Sequence, residues 1–513
     1  MAPNKIERKV GSGKLFLDAP DTELAVVIEE SLTLARRFPV ILRRIDADQD
    51  RLGKARKRRR LDEKRWLAQR TAALPGIGEP NAGALGADAL VLGTGCPRMS
   101  PEVTLVFLLL RGYTGELYGK WSLERLRDSR TLEAFLAQRN LRVPGLRTIG
   151  DNLNAVSNET RELILDCQVT LALAEDLDDF AATTVDSTPV AANSEWPTDS
   201  GILLGLLGRA ARVGGKLPGF GLPPVRDGWL SRWLPEMKRL HFAINVTAGK
   251  PKSEGKRRRL YRRFLRRAAK AAALLASEAQ RLHPAYLAAP LAPTRRTQAA
   301  RAWTRFVNDV TDACRVMAYC EARVFHGRRT PSPEKILSLA DRTASLIVKG
   351  DREPLVGYKP QLARSGNGLV TALLVPEGNA ADATQLLPLV RETRRRTGVC
   401  PHVVSADDGY TSAAGRNGLR EMQVAVISFS GSKGKKLTAD QDWDSEPYAQ
   451  ARNDRSAVES LMFCLKYTYE FGRLRRRGLA AVRAELLEKV LAYNTCRILL
   501  LRERQQTAKR KAA

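Results

Sequence analysis

The chain is 513 residues long, which predicts about three folding units at roughly 150 residues per domain. It carries 85 Lys and Arg against 56 Asp and Glu, a formal net charge of +29 that favours nucleic acid as the partner. The longest apolar runs fall far short of the about 20 residues that cross a bilayer, and the first 20 residues lack the apolar core of a secretory signal. These features exclude a membrane-spanning protein, and we expect a cytoplasmic protein with no membrane partner.

Cysteine and histidine offer little chemistry in this sequence. The seven cysteines are scattered without a CxxC pair, and none of the four histidines stands at metal-ligand spacing from a cysteine. We therefore expect reduced thiols and no structural zinc site.

Residues 1–95 are predicted to form a basic N-terminal helical appendage and linker. An amphipathic pattern covers residues 22–45, basic residues are dense over 54–60, and glycine is frequent over 76–97. Lys57 and Arg58, in the basic run, are candidate contacts to DNA phosphates. The sequence favours this interpretation and an ordinary solvated helix surface about equally.

Residues 96–175 carry the signals of several short helices. Helix starts are indicated at Ser100, Ser122 and Thr131, and Pro144 interrupts the chain before a further helix. This pattern predicts a DNA-binding domain of helix-turn-helix type, although an ordinary helical bundle fits it equally well.

The strand patterns begin at residue 182. Five segments have strand character, at residues 182–190, 355–362, 369–375, 402–406 and 424–429. Helical patterns follow at residues 381–396 and 452–471. Strands that alternate with helices indicate an α/β sheet, which we assign to residues 176–205 and 340–475, with a C-terminal helix and basic tail over 476–513.

A helical and highly basic insertion, residues 206–339, separates the two parts of the predicted sheet domain. Within it, residues 256–270 place their apolar side chains on one helical stripe and contain no acidic residue. Because nothing local balances the repulsion, these charges favour an external anion over a solvated helix. Arg258, Arg262 and Arg266 are the candidate phosphate contacts.

Three acidic residues stand where a two-metal phosphoryl-transfer site would need them. Asp186 ends a hydrophobic strand, Asp407 follows another, and Glu459 lies in the predicted helix 452–471. Carboxylates that converge from different elements can hold Mg²⁺. Taken singly, each acid also fits an ordinary role in a turn, a cap or a solvated helix face.

The helical register around Glu459 strengthens this hypothesis. At about 100° per residue, Arg455 and Lys466 share one helix face with Glu459. Two cations beside a metal-binding acid could hold phosphates on either side of a scissile bond. The competing interpretation, a surface pair between Arg455 and Glu459, accounts for only two of the three residues.

Three segments resemble the signature boxes of insertion-sequence transposases of the DDE class, which have an RNase H-like catalytic domain. The VDST segment at 185–188, with WPTDSGILL at 196–204, resembles the first box. The ADDGY segment at 406–410 resembles the second box, which selects Asp407 as the ligand and leaves Asp408 as its rival. Supporting segments such as YKPQL and LRVPGLRTIG are similar to those of the ISNCY-type group.

The third box of the family, R-x3-E-x6-K, matches Arg455, Glu459 and Lys466. In its usual form a Tyr stands three positions before the Arg, where this chain has Arg452. Tyr448, about one helical turn earlier, is the candidate substitute for that contact.

The resemblance implies a DNA transposase that binds the terminal inverted repeats of a bacterial insertion sequence. It implies strand cleavage and strand transfer with two Mg²⁺ ions, for which Mn²⁺ can substitute, by a homodimer on double-stranded DNA at the nucleoid. Asp186, Asp407 and Glu459 would be the catalytic metal ligands, and Arg452, Arg455 and Lys466 would contact DNA. Two alternatives stay open: an RNase H-like nuclease without strand transfer, and a catalytically inactive DNA-binding protein derived from a transposase.

Overall fold

The computed structural model describes residues 22–72, 98–114, 129–350 and 353–512. The predicted linker and the helix start at Ser122 lie outside these residues. Among these residues, six helices precede the first strand: α1 (Thr22–Arg37), α2 (Pro39–Ala72), α3 (Pro101–Thr114), α4 (Arg130–Ala137), α5 (Leu146–Ala155) and α6 (Asn158–Ala174). In the described part of the chain, no helix is both long and apolar enough to cross a membrane.

Two strands and four helices follow in the middle of the chain. They are β1 (Ala182–Ser187), β2 (Val190–Ala191), α7 (Asp199–Gly214), α8 (Leu230–Thr247), α9 (Glu254–Ala288) and α10 (Pro293–His326). Long helices form here because apolar residues recur at helical spacing, as Tyr261, Phe264, Ala268 and Leu275 do along α9.

The last third of the chain returns to strands and ends in a long helix. Its elements are β3 (Ser345–Ile347), β4 (Leu355–Tyr358), β5 (Gln361–Ser365), β6 (Val370–Leu374), α11 (Leu386–Thr397), β7 (Val403–Ala406), α12 (Ala413–Glu421), β8 (Val426–Phe429), α13 (Ser432–Leu437), α14 (Asp440–Trp443), α15 (Glu446–Asp454), α16 (Ser456–Tyr467) and α17 (Leu479–Ala512). Short 3₁₀ turns at Asp382–Thr384 and Asp408–Tyr410 precede α11 and α12.

Five strands form a mixed sheet in the order β6-β5-β1-β7-β8. The central strand β1 is antiparallel to β5 and parallel to β7, and β7 is parallel to β8. This helix-rich α/β architecture is compatible with the RNase H-like domain that the sequence predicts. Strands β2, β4 and β3 form a separate three-stranded sheet.

The contacts divide the described chain into two compact units. The sheet unit contains residues 22–52, 98–193 and 343–512, and the helical unit contains residues 53–72 and 194–342. This division groups α3 to α6 and α17 with the sheet, whereas the sequence predicts separate segments at 96–175 and 476–513. The helical unit includes residues 206–339, the predicted insertion, together with residues 53–72 and the short flanks 194–205 and 340–342.

A buried ion cluster explains why those helices belong to the sheet unit. The fully buried Glu488 of α17 accepts hydrogen bonds from Arg111 of α3 at 2.7 and 2.5 Å. It also accepts bonds from Arg161 of α6 at 2.8 and 2.6 Å. Burial alone would raise the pKa of Glu488, but the two guanidiniums outweigh it and hold that pKa far below its ordinary value.

One hydrophobic core of the sheet unit is formed by one face of the five-stranded sheet and helices α11 and α12. Val185 and Val404, from the two central parallel strands, pack in one cluster with Leu386 and Leu389 of α11 and Leu419 of α12. β-Branched residues suit this buried sheet surface. The core therefore fixes the positions at which β1 and β7 end.

Two predicted elements are wrong as single elements. The strand 355–362 divides into β4 and β5, which belong to different sheets. Pro360, between them, has no N–H for the ladder, and its carbonyl accepts a hydrogen bond from Thr188 N. The helix 452–471 divides into α15 and α16, because a bond from Val458 N to the Arg455 carbonyl replaces the regular helical pattern there.

Candidate active site

Two of the predicted catalytic acids lie side by side at one edge of the sheet. Asp186 is in β1, and Asp407 is the first residue after β7. The two strands are parallel, and their register places Val185 beside Ala406. The next residues are therefore neighbours at the carboxyl edge of the sheet, where Asp186 is 9% exposed.

The electrostatics of Asp407 show that acidic side chains are crowded together at this edge. Burial raises the pKa of Asp407, and the negative charges of Asp186 and Asp382 raise it further. The charge of Lys349 and the Gly409 N–H, which donates to Asp407 at 3.1 Å, lower the pKa but do not offset the rise. Such a cluster favours a bound cation.

Lys349 supplies one positive charge to the cluster. Its Nζ lies 2.9 Å from Asp186 Oδ1 and 2.9 Å from Ser187 Oγ, and it also donates to the Ser187 carbonyl. Asp186 is further fixed by a 2.6 Å hydrogen bond from Ser187 N. The carboxylate is thus oriented by its own strand and by a residue just after β3.

Asp382 is an acid of this cluster that the sequence analysis did not single out. It begins the 3₁₀ turn before α11, and its Oδ1 lies 3.0 Å from Lys359 Nζ and 2.8 Å from Gln361 Nε2. One sequence signal could have indicated Asp382 as a site residue. It lies in the GNAADA segment, which follows a buried strand, and Asp407 also follows a buried strand. That signal is weak because turn acids are common.

The local geometry explains the glycine and the tyrosine that follow Asp407 in the ADDGY segment. A Cβ on Gly409 would lie 3.1 Å from Asp407 Oδ1 and 3.3 Å from Asp382 Oδ2, so a side chain would press on both carboxylates. Tyr410 is fully buried, and its hydroxyl donates to Gln361 Oε1. Gln361 in turn donates to Asp382, so Tyr410 of the ADDGY segment helps to orient Asp382 through Gln361.

Asp408, the rival of Asp407, is engaged elsewhere. Its Oδ1 accepts a 2.9 Å hydrogen bond from Gly434 N in α13 and a longer one from Thr411 Oγ1. A carboxylate bound to backbone N–H groups at a helix start has an ordinary capping role. This contact favours Asp407 as the functional acid.

Glu459 does not join the acidic pair. It lies in the first turn of α16, its side chain is 67% exposed, and it is 3.4 Å from the Arg455 guanidinium. Helix α16 does contact β1. Arg455 immediately precedes the helix, and the half-buried Lys466 lies in its last turn.

The expectation that Tyr448 replaces the missing box tyrosine is wrong. Tyr448 is buried, and its hydroxyl accepts from Phe429 N at 2.9 Å and donates to the Phe429 carbonyl at 3.0 Å. Arg452 covers it, with its guanidinium carbon 4.5 Å from the Trp443 ring centroid and 5.6 Å from that of Tyr448. Tyr448 therefore holds α15 on β8 and offers no surface to DNA.

The candidate DNA contacts in the helical unit differ in their surroundings. Arg258 donates to the Val324 and Phe325 carbonyls at the end of α10, and Arg262 lies over the Phe325 ring at 5.6 Å. Arg266 is exposed. Two further candidates are exposed on α2, namely Lys57 and Arg58.

The repulsion expected within 256–270 is partly relieved inside the helical unit. Glu236 of α8 lies 2.7 Å from Arg267 and 3.7 Å from Arg263. Part of the balancing charge for residues 256–270 therefore comes from another helix. The lack of acids within this segment favours an external anion less strongly than the sequence alone indicates.

The donor set at the sheet edge fits a hard divalent cation. Mg²⁺ prefers carboxylate oxygens, and the charges of Asp186 and Asp382 both act on the Asp407 carboxylate. Within the described residues, however, no three His, Cys, Asp or Glu side chains are close enough to enclose a metal ion. The structure thus brings Asp186 and Asp407 together and leaves Glu459 apart from them.

Part of the chain is similar to a known protein family. Residues 349–495 match the family model of the transposase DDE domain, a segment that includes Asp407 and Glu459. This match supports a DDE-class transposase, a class that acts on DNA. Searches of curated proteins and of solved structures found no match.

Proposed function

We propose that this chain is the transposase of a bacterial insertion sequence of the ISNCY-type group. It binds the terminal inverted repeats as a homodimer, cleaves the strand at the element's end and joins the 3′ hydroxyl to target DNA. The observation that carries the proposal is the pair Asp186 and Asp407 at the carboxyl ends of adjacent parallel strands. Its substrate places the protein in the cytoplasm, at the nucleoid.

Asp186, Asp407 and Glu459 are the proposed ligands of two Mg²⁺ ions, with Mn²⁺ as a substitute. Bound ions of this kind activate the attacking oxygen and stabilise the leaving oxygen in phosphoryl transfer. Support for Glu459 is that it lies on a helix that contacts β1 and that its side chain is exposed. Asp382 is the competing third ligand, since its charge already acts on Asp407.

The remaining polar residues position the reacting groups. Ser187 N and Lys349 hold the Asp186 carboxylate, and Gly409 N holds that of Asp407. Arg452, Arg455 and Lys466 are proposed to contact phosphates near the scissile bond, and the basic residues of α2 and α9 to follow the flanking duplex. Orientation and charge are what a phosphoryl-transfer enzyme must supply.

The test is a cleavage and strand-transfer assay on a labelled duplex that carries the element's end. Asp186→Asn, Asp407→Asn and Glu459→Gln should each lower both activities by at least about 100-fold while duplex binding is retained. Asp408→Asn is the matched control, because that acid neighbours the site but caps α13, and it should retain activity.

Three other outcomes would contradict parts of the proposal. Cleavage without joining would favour the nuclease, and tight binding without metal-dependent chemistry would favour an inactive DNA-binding protein. An active Glu459→Gln variant together with an inactive Asp382→Asn variant would show that the third metal ligand is Asp382, in the turn before α11, and not Glu459 on α16.

A further inference from the structure

Helix α16 exposes two large aromatic side chains beside each other. Phe463 is 64% exposed and Tyr467 is 69% exposed. They are one helical turn apart, and their ring centroids are 4.5 Å apart with the planes tilted by 41°. A single exposed aromatic residue is ordinary on a protein surface, but two in contact form an apolar patch with rings that could receive another flat group.

This aromatic pair lies on the face of α16 that carries the third transposase box. At about 100° per residue, Phe463 and Tyr467 are about 40° and 80° from Glu459, and Lys466 is about 20° from it on the other side. One helix face therefore combines an acid, a cation and two exposed rings.

We infer that Phe463 and Tyr467 form a stacking surface for an unpaired DNA base close to the bond that is cleaved. The inference rests on the proposed function, because it takes Glu459 as part of the site. Base–aromatic stacking is tolerant of sequence and is available only to a base that has left its duplex partner. The surface would thus hold the end of a strand that has been opened or cut.

Charge favours DNA as the occupant of this surface. The protein carries a net charge of +29, so a nucleic acid strand is attracted to it. Arg455 and Lys466 lie on the same helix face and suit the phosphates on either side of a stacked base. The positive charge and the exposed rings together therefore favour a nucleotide as the occupant of this surface.

The experiment uses the full chain and two probes without divalent metal. One is a 12-nucleotide oligothymidine with a central 2-aminopurine, whose fluorescence falls when that base stacks, and the other is a 12-base-pair duplex of mixed sequence. The double variant Phe463→Ala, Tyr467→Ala should bind the single strand about 10 to 100 times more weakly and lose the quenching. Its duplex affinity should stay within about twofold of the unaltered protein.

Two further variants distinguish base stacking from simple apolar contact. Phe463→Trp should keep the quenching, and Phe463→Leu should lose much of it although an apolar side chain remains. Phe242→Ala is the matched control, because Phe242 is 71% exposed on α8 and should affect neither probe.

Several results would overturn the inference. Unchanged quenching in the double alanine variant would contradict base stacking. A double alanine variant whose only defect is loss of self-association in sedimentation would also contradict it. If the unaltered protein binds neither probe, the proposed DNA function fails as a whole. If it binds the duplex but its single-strand quenching is independent of Phe463, the stacking surface alone fails.

Discussion

The carboxylate of Asp407 is surrounded by groups that oppose its charge. Burial and the neighbouring acids Asp186 and Asp382 raise its pKa, and the opposing effects of Lys349 and the Gly409 N–H do not offset this rise. Functional sites commonly retain such unfavourable interactions, which are relieved when the ligand binds. The ionised Asp407 carboxylate therefore lowers the stability of the folded chain, and we expect its role in the site to require this cost.

Replacing Asp407 by Asn should consequently stabilise the protein at pH 7 while it abolishes activity. Because the folded-state pKa is raised, the penalty grows as pH rises from the unfolded value, about 3.9, through the folded value. We expect the melting temperature to rise by roughly 1–3 °C at pH 7 and to be unchanged below the unfolded pKa. A lower melting temperature at pH 7, measured by calorimetry, would contradict this effect of the crowded charges.

Gly409 should matter for activity far more than for folding. In Gly409→Ala the new Cβ would press on Asp407 Oδ1 and Asp382 Oδ2, so both carboxylates must shift by a few tenths of an ångström. We expect cleavage to fall at least about tenfold, since small misplacements in such sites are costly. Circular dichroism melting should stay within about 2 °C of the unaltered protein. Gly150→Ala is the comparison, because a Cβ there would have no atom within 4 Å, and it should leave cleavage unchanged.

For single residues, the sequence predicts the site acids that lie at strand ends. It does not predict the residues that reach the site from distant parts of the chain. Asp186 and Asp407 follow hydrophobic strands, so their type and position can be seen in the chain. Lys349 and Asp382 lie in loops far from Asp186 in sequence, and only the sheet topology brings them to it. The triad member Glu459 and the alternative Asp382 cannot be ranked from the sequence for the same reason.

Among the elements, α17 has an unusual role, because Glu488 on this helix binds Arg111 of α3 and Arg161 of α6. Breaking a buried ion cluster by removing one partner leaves charges in a medium that cannot solvate them. The three helices are joined by this cluster although long stretches of chain separate them.

Glu488→Gln should therefore destabilise the sheet unit by about 3–5 kcal/mol. Glu503→Gln, an exposed acid on the same helix, should change the unfolding free energy in urea by less than about 0.5 kcal/mol. Since the folded-state pKa of Glu488 is lowered, its stabilisation is present above the unfolded value, about 4.3, and is lost as pH falls below it. Equal effects of the two variants at pH 7 would show that the cluster is unimportant.

The existence of most elements could be predicted from local patterns, whereas their partners could not. The predicted strand 369–375 is present as β6, which pairs antiparallel with β5. That β4 leaves for a second sheet depends on Pro360 and on its contact with Thr188, which is far away in sequence. Likewise, nothing local shows that the C-terminal helix completes the core of the sheet unit.

For the whole molecule, charge should dominate the binding of DNA. A protein with a net charge of +29 should release several counterions on binding, so affinity should fall steeply as salt increases. The contribution of each arginine depends on whether its guanidinium is engaged within the protein.

Arg266 and Arg258 on α9 should therefore behave differently. Arg266 has no hydrogen-bond or ionic partner among the described residues, so Arg266→Gln should lower the slope of log affinity against log salt by about 0.9. Arg258 donates to two backbone carbonyls at the end of α10, and Arg258→Gln should instead lower the melting temperature of the helical unit. Salt titrations and calorimetry of both variants test this, and an identical slope change in the two would count against it.

The position of Glu488 near the end of the sequence also bears on how the protein is made. The sheet unit is assembled from three separate stretches of chain, and its ion cluster closes only when residue 488 has left the ribosome. The helical unit, continuous from residue 194 to 342 apart from its short N-terminal piece, can fold well before that. A chain terminated before α17 would leave Arg111 and Arg161 buried without their acid, so premature translation products should be cleared by proteases and should not accumulate as competitors for the same DNA ends.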